Sequence, residues 1–332
     1  MDAIERLTKL RKSPDRGMIK EDLFYEMLES MQGNLIERIW FVDPNVSKSG
    51  SGHSLESPLK TIQDAITAEK NTQSQATGDG AMIACAPGSY EVGAGGDPVI
   101  DLDGVGWPMS GDKAVWKLWI KALVPDACTL VGDDTTAGPT VSIKGCWYTT
   151  IDGFRFHRAA YQAGSADIFL DESAGGVGHN FAKILNNHFY CAGSVHSQYG
   201  ILSKGSHYLE VAGNYWDTRD GANAEGIHIQ GGATQMGSHI HVHDNVFVGQ
   251  KDAGIAVAAG LNQAGCVFER NTFHGGAMTA AIDIGAIGGG APAEDAYLVS
   301  ENMFGNYAAL INAITTGVKD TDFFAVGNQY AE

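Results

Sequence analysis

The sequence predicts an all-β chain wound into a single-stranded parallel β-helix, and three observations carry that expectation. The first is a triplet of asparagine, any residue and an aromatic. It recurs at Asn187-His188-Phe189, Asn214-Tyr215-Trp216, Asn245-Val246-Phe247, Asn271-Thr272-Phe273, Asn302-Met303-Phe304 and Asn328-Gln329-Tyr330. Successive asparagines lie 27, 31, 26, 31 and 26 residues apart, and Phe154-Arg155-Phe156 stands 33 residues upstream as an imperfect copy. The second is an apolar residue three positions before each asparagine (Ile184, Val211, Val242, Phe268, Val299, Ala325), with Ala182, Leu209, Ile240, Cys266, Tyr297 and Phe323 two positions earlier. That is the period of two of a strand. The third is a later short apolar run, often opened by glycine, as in Gly200-Ile201, Gly226-Ile227 and Gly254-Ile255.

Units of this length cannot bury an apolar face alone, so they must stack on one another. Stacked coils stand about 4.8 Å apart, and interior side chains then form columns. Asparagine suits a tight corner because it tolerates the left-handed region, and its amide can bond its counterparts one coil above and below. The aromatic two positions on is expected to stack inside the core.

The chain has 332 residues, enough for one long solenoid, with 43 glycines for corners and a low charged fraction of 18%. The net charge is −17 with no basic cluster, so nucleic acid is not an expected partner. Such a surface would also repel an anionic polysaccharide unless a cation intervened. Cys85, Cys128, Cys146, Cys191 and Cys266 are odd in number and contain no CxxC pair, which points to free thiols in a reducing compartment. The first 40 residues carry charges throughout, so neither an export signal nor membrane insertion is expected.

Residues 1–38 contain no repeat and read as a helical arm. Ile4, Leu7 and Leu10 share one face, and Leu23, Phe24, Met27, Leu28 and Met31 recur at helical spacing after a break at Ser13-Pro14-Asp15-Arg16-Gly17. The arm either caps the solenoid or docks on a partner. Residues 39–332 form the solenoid. It opens with Trp40-Phe41-Val42-Asp43-Pro44, a Gly/Ser loop, a helix start at Ser57-Pro58-Leu59-Lys60-Thr61-Ile62-Gln63-Asp64-Ala65-Ile66, and a strand leading to Ala86-Pro87-Gly88-Ser89-Tyr90.

That order resembles the start of the pectate-lyase-like superfamily, in the segments FVDP, SPLKTIQDAI and APGSYE. The resemblance runs from about residue 40 to the C-terminal residues. It implies a right-handed parallel β-helix, a capping helix, a homotrimer, and a role among polysaccharide lyases, glycoside hydrolases, phage tail spikes or non-catalytic virion parts. The calcium-site and arginine motifs of pectate lyases have no clear match here. Fold alone does not choose among these roles.

Three constellations carry candidate chemistry. In Ser238-His239-Ile240-His241-Val242-His243-Asp244, alternation turns the three histidines outward, with Glu210 on the coil before beside His241 and Glu269 on the coil after beside His243. His241, His243, Glu210 and Glu269 are candidate ligands for a divalent metal, the one cofactor considered, or else a solvated or subunit-facing ladder. At the corner after Asn214, Asp217 and Asp220 stand near Glu225 and His228, with Asp283 two coils along. These acids are the acid and base candidates for glycoside cleavage. Trp107, Trp116, Trp119, Trp147, Tyr148 and Tyr161 fill early coils or stack on sugars.

The expected role is a bacteriophage virion protein, a head-decoration spike or short tail spike made in the host cytoplasm. It would join other virion proteins through residues 1–38 and present a surface to cell-surface glycan. The alternative is a polysaccharide depolymerase.

Overall fold

The computed structural model describes residues 36–72, 80–92, 96–103, 117–133, 138–158, 162–171, 181–190, 197–217, 225–231, 238–250, 252–258, 265–274, 278–285, 297–305, 314–316 and 323–331. Residues 1–35, and with them nearly all of the expected helical arm, lie outside the described residues. The first strand, Ile36–Val42, begins within the last residues assigned to that arm.

Each coil lays one strand in each of three sheets. Among the described residues sheet 1 has ten strands, sheet 2 nine and sheet 3 eight, and each strand pairs in parallel with the equivalent strand of the next coil. The result is a right-handed parallel β-helix. Register is held down the later coils, with irregularities between Ile36 and Arg38 on sheet 1 and between Gln162 and Ala166 on sheet 3. Val211 sits beside Ile184 and Val242 on sheet 1, and Ile227 beside Ile201 and Ile255 on sheet 3.

The aromatics of the triplets form the core column of sheet 2. Phe156, Phe189, Trp216, Phe247, Phe273 and Phe304 stack with centroids 4.5–5.3 Å apart and planes within 15° of parallel. The glycine that opens the sheet 3 strands answers this column. A Cβ on Gly226 would lie 2.6 Å from a Phe247 ring carbon, and one on Gly254 2.5 Å from Phe273.

The asparagines make the expected amide ladder, and all but the last, Asn328, are buried. Asn214 Oδ1 accepts from the backbone N–H of Asn187 at 2.9 Å and from its Nδ2 at 3.1 Å, and the same pair of bonds repeats at Asn245, Asn271, Asn302 and Asn328. Each Nδ2 also reaches a carbonyl of the preceding coil, as Asn245 does to Val211 at 2.8 Å. The imperfect copy still donates, from the Phe154 N–H to Asn187 Oδ1 at 3.0 Å. The left-handed backbone, however, falls one residue earlier than expected, at Gly153, Asn186, Gly213, Asp244, Arg270, Glu301 and Gly327. That residue reverses the chain, and the ladder asparagine after it aims its amide inward along the stack.

A helix, Ile62–Thr72, covers the open edge at the start of the solenoid. Thr61 caps it through a bond from the Asp64 N–H to Thr61 Oγ1, and Ile62, Ala65 and Ile66 are buried. Gln63 stands in for a missing strand: its Nε2 donates to the Asp101 carbonyl and its Oε1 accepts from the Asp101 N–H, so part of the strand Ile100–Asp103 is not left as a bare edge. The buried Glu69 carboxylate accepts from Arg38 and from Trp40 Nε1 at 2.6 Å, tying the helix to the first strand. No helix among the described residues is long and apolar enough to cross a membrane. Cys85, Cys128, Cys146 and Cys266 are free thiols, and burial pushes Cys146 and Cys266 up to about 12, so they act as small core hydrophobes.

Candidate functional site

The outer face of sheet 1 gathers the histidines. The Cα register is as expected, Glu210 beside His241 and Glu269 beside His243. The side chains cross that register. His241 Nε2 meets Glu269 Oε1 at 3.0 Å, and His243 Nε2 meets Glu210 Oε1 at 3.4 Å, while the two imidazoles lie 4.0 Å apart.

The surrounding charges close a network. Lys183 holds Glu210 at 2.6 Å, His243 Nδ1 meets Asp244 at 2.7 Å, and Arg270 forks onto Asp244 at 2.9 and 3.0 Å while reaching Glu269 at 2.6 Å. The Arg270 hydrogen bonds pull Asp244 down to about 2. Burial pushes Glu210 and Glu269 up, but Lys183 with His243, and Arg270 with His241, outweigh it and hold both below the usual carboxylate range. Among the described residues no three His, Cys, Asp or Glu side chains converge on a metal-sized space. His241 and His243 turn their Nε2 atoms toward opposite coils, so with Glu210 and Glu269 they form two crossed pairs and not one ligand set.

The strand here covers only His241–His243. His239 precedes it with φ 54°, so it does not continue the outward alternation. It ends instead a second column that the sequence reading missed. Tyr148, Phe181, Tyr208 and His239 all have positive φ and stack at 4.7 Å on successive coils, with planes 4°, 8° and 17° from parallel. Bulky residues rarely take this backbone. The stacking, roughly 0.5–1.5 kcal/mol per pair, offsets part of the strain of roughly 1–3 kcal/mol per residue. The signal was available, since each lies six residues before its ladder position. Because each ring covers its neighbour, Phe181 and Tyr208 present edges and not faces to solvent. Tyr148 is therefore part of a packed column, and Trp119 is engaged by Asp152 at its Nε1 and by Lys121 over its ring. Trp107, Trp116 and Tyr161 lie outside the described residues.

The candidate acids are divided between sheets. Asp217 ends a sheet 2 strand and is buried. Glu225 opens the next sheet 3 strand and its carboxylate meets His228 Nδ1 at 2.5 Å, with Tyr199 beside the imidazole at 5.0 Å. Asp283 is exposed in the column of His228, with Ala256 on the rung between them. Asp220 lies outside the described residues. Among the described residues one carboxyl shows the raised affinity for a proton that an acid catalyst needs. Burial pushes Asp167 up to about 6, against the opposing effects of Ser197, which donates to it at 2.6 Å, and Arg158.

One strand per sheet per coil, all parallel, with a helix over the first edge, is the right-handed parallel β-helix fold. No family model matches the sequence, and no curated protein matches it. Among solved structures it is similar to the rice weevil pectin methyl esterase (12% identity, TM-score 0.45, 93% of this chain and 95% of that one). It is also similar to a GH136 lacto-N-biosidase from Eubacterium ramulus (10%, 0.44, 93% and 70%) and to ORF18 of Geobacillus virus E2 (11%, 0.42, 93% and 64%). At such identities and scores none of them bears on activity.

Proposed function

We propose that this chain is a structural protein of a bacteriophage particle, a head-decoration or short tail spike displayed as a homotrimer. Residues 1–38 would join it to other virion proteins, and the solenoid would face cell-surface glycan. One observation carries the preference for a structural role. The outward acids of sheet 1 are spent on neighbouring cations and held ionised, so they are poor proton donors, while Asp217, Glu225 and Asp283 are split between two sheets. A continuous ladder of this kind makes a stiff stem, which suits display.

The second reading is a glycan depolymerase, favoured by the Glu225 and His228 pair with Asp283 two rungs along the same face, roughly 10 Å by coil spacing. The purified protein is to be incubated with host capsule or lipopolysaccharide and assayed for new reducing ends or unsaturated sugars. No product, together with the protein found in stoichiometric amounts in purified particles, supports the structural role. Product that vanishes in Glu225→Gln or Asp283→Asn overturns it.

A further inference from the structure

The corner where sheet 3 gives way to sheet 1 carries a serine between two histidines. Ser238 and His207 are parallel bridge partners on successive coils. Backbone bonds pin the pair from both sides, the Ser238 N–H donating to the Ser206 carbonyl at 3.0 Å and the Tyr208 N–H to the Ser238 carbonyl at 2.9 Å. Ser238 Oγ lies 2.7 Å from His207 Nδ1 and 3.0 Å from His239 Nδ1. Two ring nitrogens thus converge on one hydroxyl.

A hydroxyl has a single proton, so it donates to one of these rings and accepts from the N–H of the other. His207 is the nearer and the less exposed, which makes its Nδ1 the acceptor and leaves the hydrogen on His239 Nδ1. A base on the hydroxyl and a hydrogen-bond donor beside it are what an acyl-transfer site needs. His239 is held firmly for the second task. Its ring stacks on Tyr208 at 4.7 Å, and a Cβ on Gly265 of the next coil would lie 3.1 Å from its Cδ2, so both faces are backed. The sheet 1 histidines differ, because His241 and His243 meet carboxylates.

We propose that Ser238 is a nucleophile that hydrolyses small uncharged carboxylic esters, with His207 as its base and His239 as the donor to the carbonyl oxygen. Oγ adds to the carbonyl carbon as its proton passes to His207 Nδ1, and the carbonyl oxygen takes up the displaced electron pair beside His239 Nδ1–H. The carbon–oxygen bond to the alcohol then breaks, and the alcohol leaves with the proton from His207. Water, deprotonated by His207, releases the acid and restores Ser238. Tyr208, 47% exposed, stands next to the hydroxyl as a wall for an apolar group. The net charge of −17 favours a neutral ester over an anionic one. Ester hydrolysis yields neither a new reducing end nor an unsaturated sugar, so it is read apart from the assay above and rests on neither reading of the particle.

The test treats the full-length protein with a fluorophosphonate probe, maps the label by peptide mass, and follows p-nitrophenol release from p-nitrophenyl acetate. One label at Ser238 is expected, together with turnover that falls to the uncatalysed rate in Ser238→Ala and by roughly a hundredfold in His207→Gln. Imidazole alone cleaves this ester, so the comparison with Ser238→Ala reads the serine. Circular dichroism reports the fold of each variant, and labelling of the unaltered protein needs no variant. No label at Ser238 under conditions that label a known serine esterase would sink the proposal. Turnover that persists in a folded Ser238→Ala, or labelling undiminished in a folded His207→Gln, would overturn it as well.

Discussion

The outer faces of sheets 1 and 2 rise from one asparagine ladder and are finished in opposite ways. On sheet 1 the chain of contacts from Lys183 through Glu210, His243, Asp244, Arg270 and Glu269 to His241 matches every charge with a neighbour one rung or one residue away. On sheet 2 the Arg155 guanidinium has the Tyr190 ring beneath it, and among the described residues its Nε meets no acceptor. The difference teaches that the ladder sets where an outward side chain stands, while the residues on adjacent rungs decide whether it is already satisfied. A rung with an enclosed, unmet donor is left incompletely satisfied. A rung with crossed ion pairs has little.

The comparison can be broken most forcefully from below. Asn245 supports both faces, and Asn245→Ala would strand the Val211 carbonyl and the Asn214 N–H in the core. The expected loss is roughly 2–4 kcal/mol in urea unfolding, with hydrogen exchange faster on both sheets alike. Loosening of one sheet alone would show that the ladder is not a common support.

Sheet 3 offers a buried charge that is only partly compensated. Asp167 has a folded pKa of about 6 against an ordinary 3.8, so the fold disfavours its ionised form. The contribution of Asp167 to stability should be full below pH 4 and be lost as pH rises through about 6. Asp167→Asn should gain roughly 1–3 kcal/mol at pH 8 and flatten that slope in thermal melts across pH 4–8.

The sheet 1 network has the opposite sign. Asp244, at about 2 when folded, stabilises above its ordinary 3.8, and that contribution is lost as pH falls toward 2. Because Asp244 is half exposed, the effect should be small and screened by salt. Asp244→Asn should remove the salt-sensitive part of the acid transition, seen in melts at pH 2–4 in low and high salt. The smallest effect belongs to sheet 2. Arg155→Gln should shift stability by no more than about 0.5 kcal/mol, since no hydrogen bond depends on it. A larger loss would mean that Arg155 is structural.

Much of this architecture was legible in the residues. The triplets give the coil length, the core column and the amide ladder, and the register they set places Glu210 beside His241 and Glu269 beside His243. The left-handed corner was misplaced by one residue because asparagine is the type that favours that backbone, whereas the stack imposes it on Asp244, Arg270 and Glu301 regardless of type. The middle position of the triplet looked like a gap between two informative residues. It was the outward one.

The sequence by itself determined the solenoid, because a period of two within strands and a recurring corner amide can satisfy burial and hydrogen bonding together only if coils stack. Only the tertiary structure decided which outward groups are spent. That depends on rotamers and on neighbours some 30 residues away in the chain: His243 turns back to Glu210 and His241 forward to Glu269, while the Arg155 guanidinium lies over the Tyr190 ring.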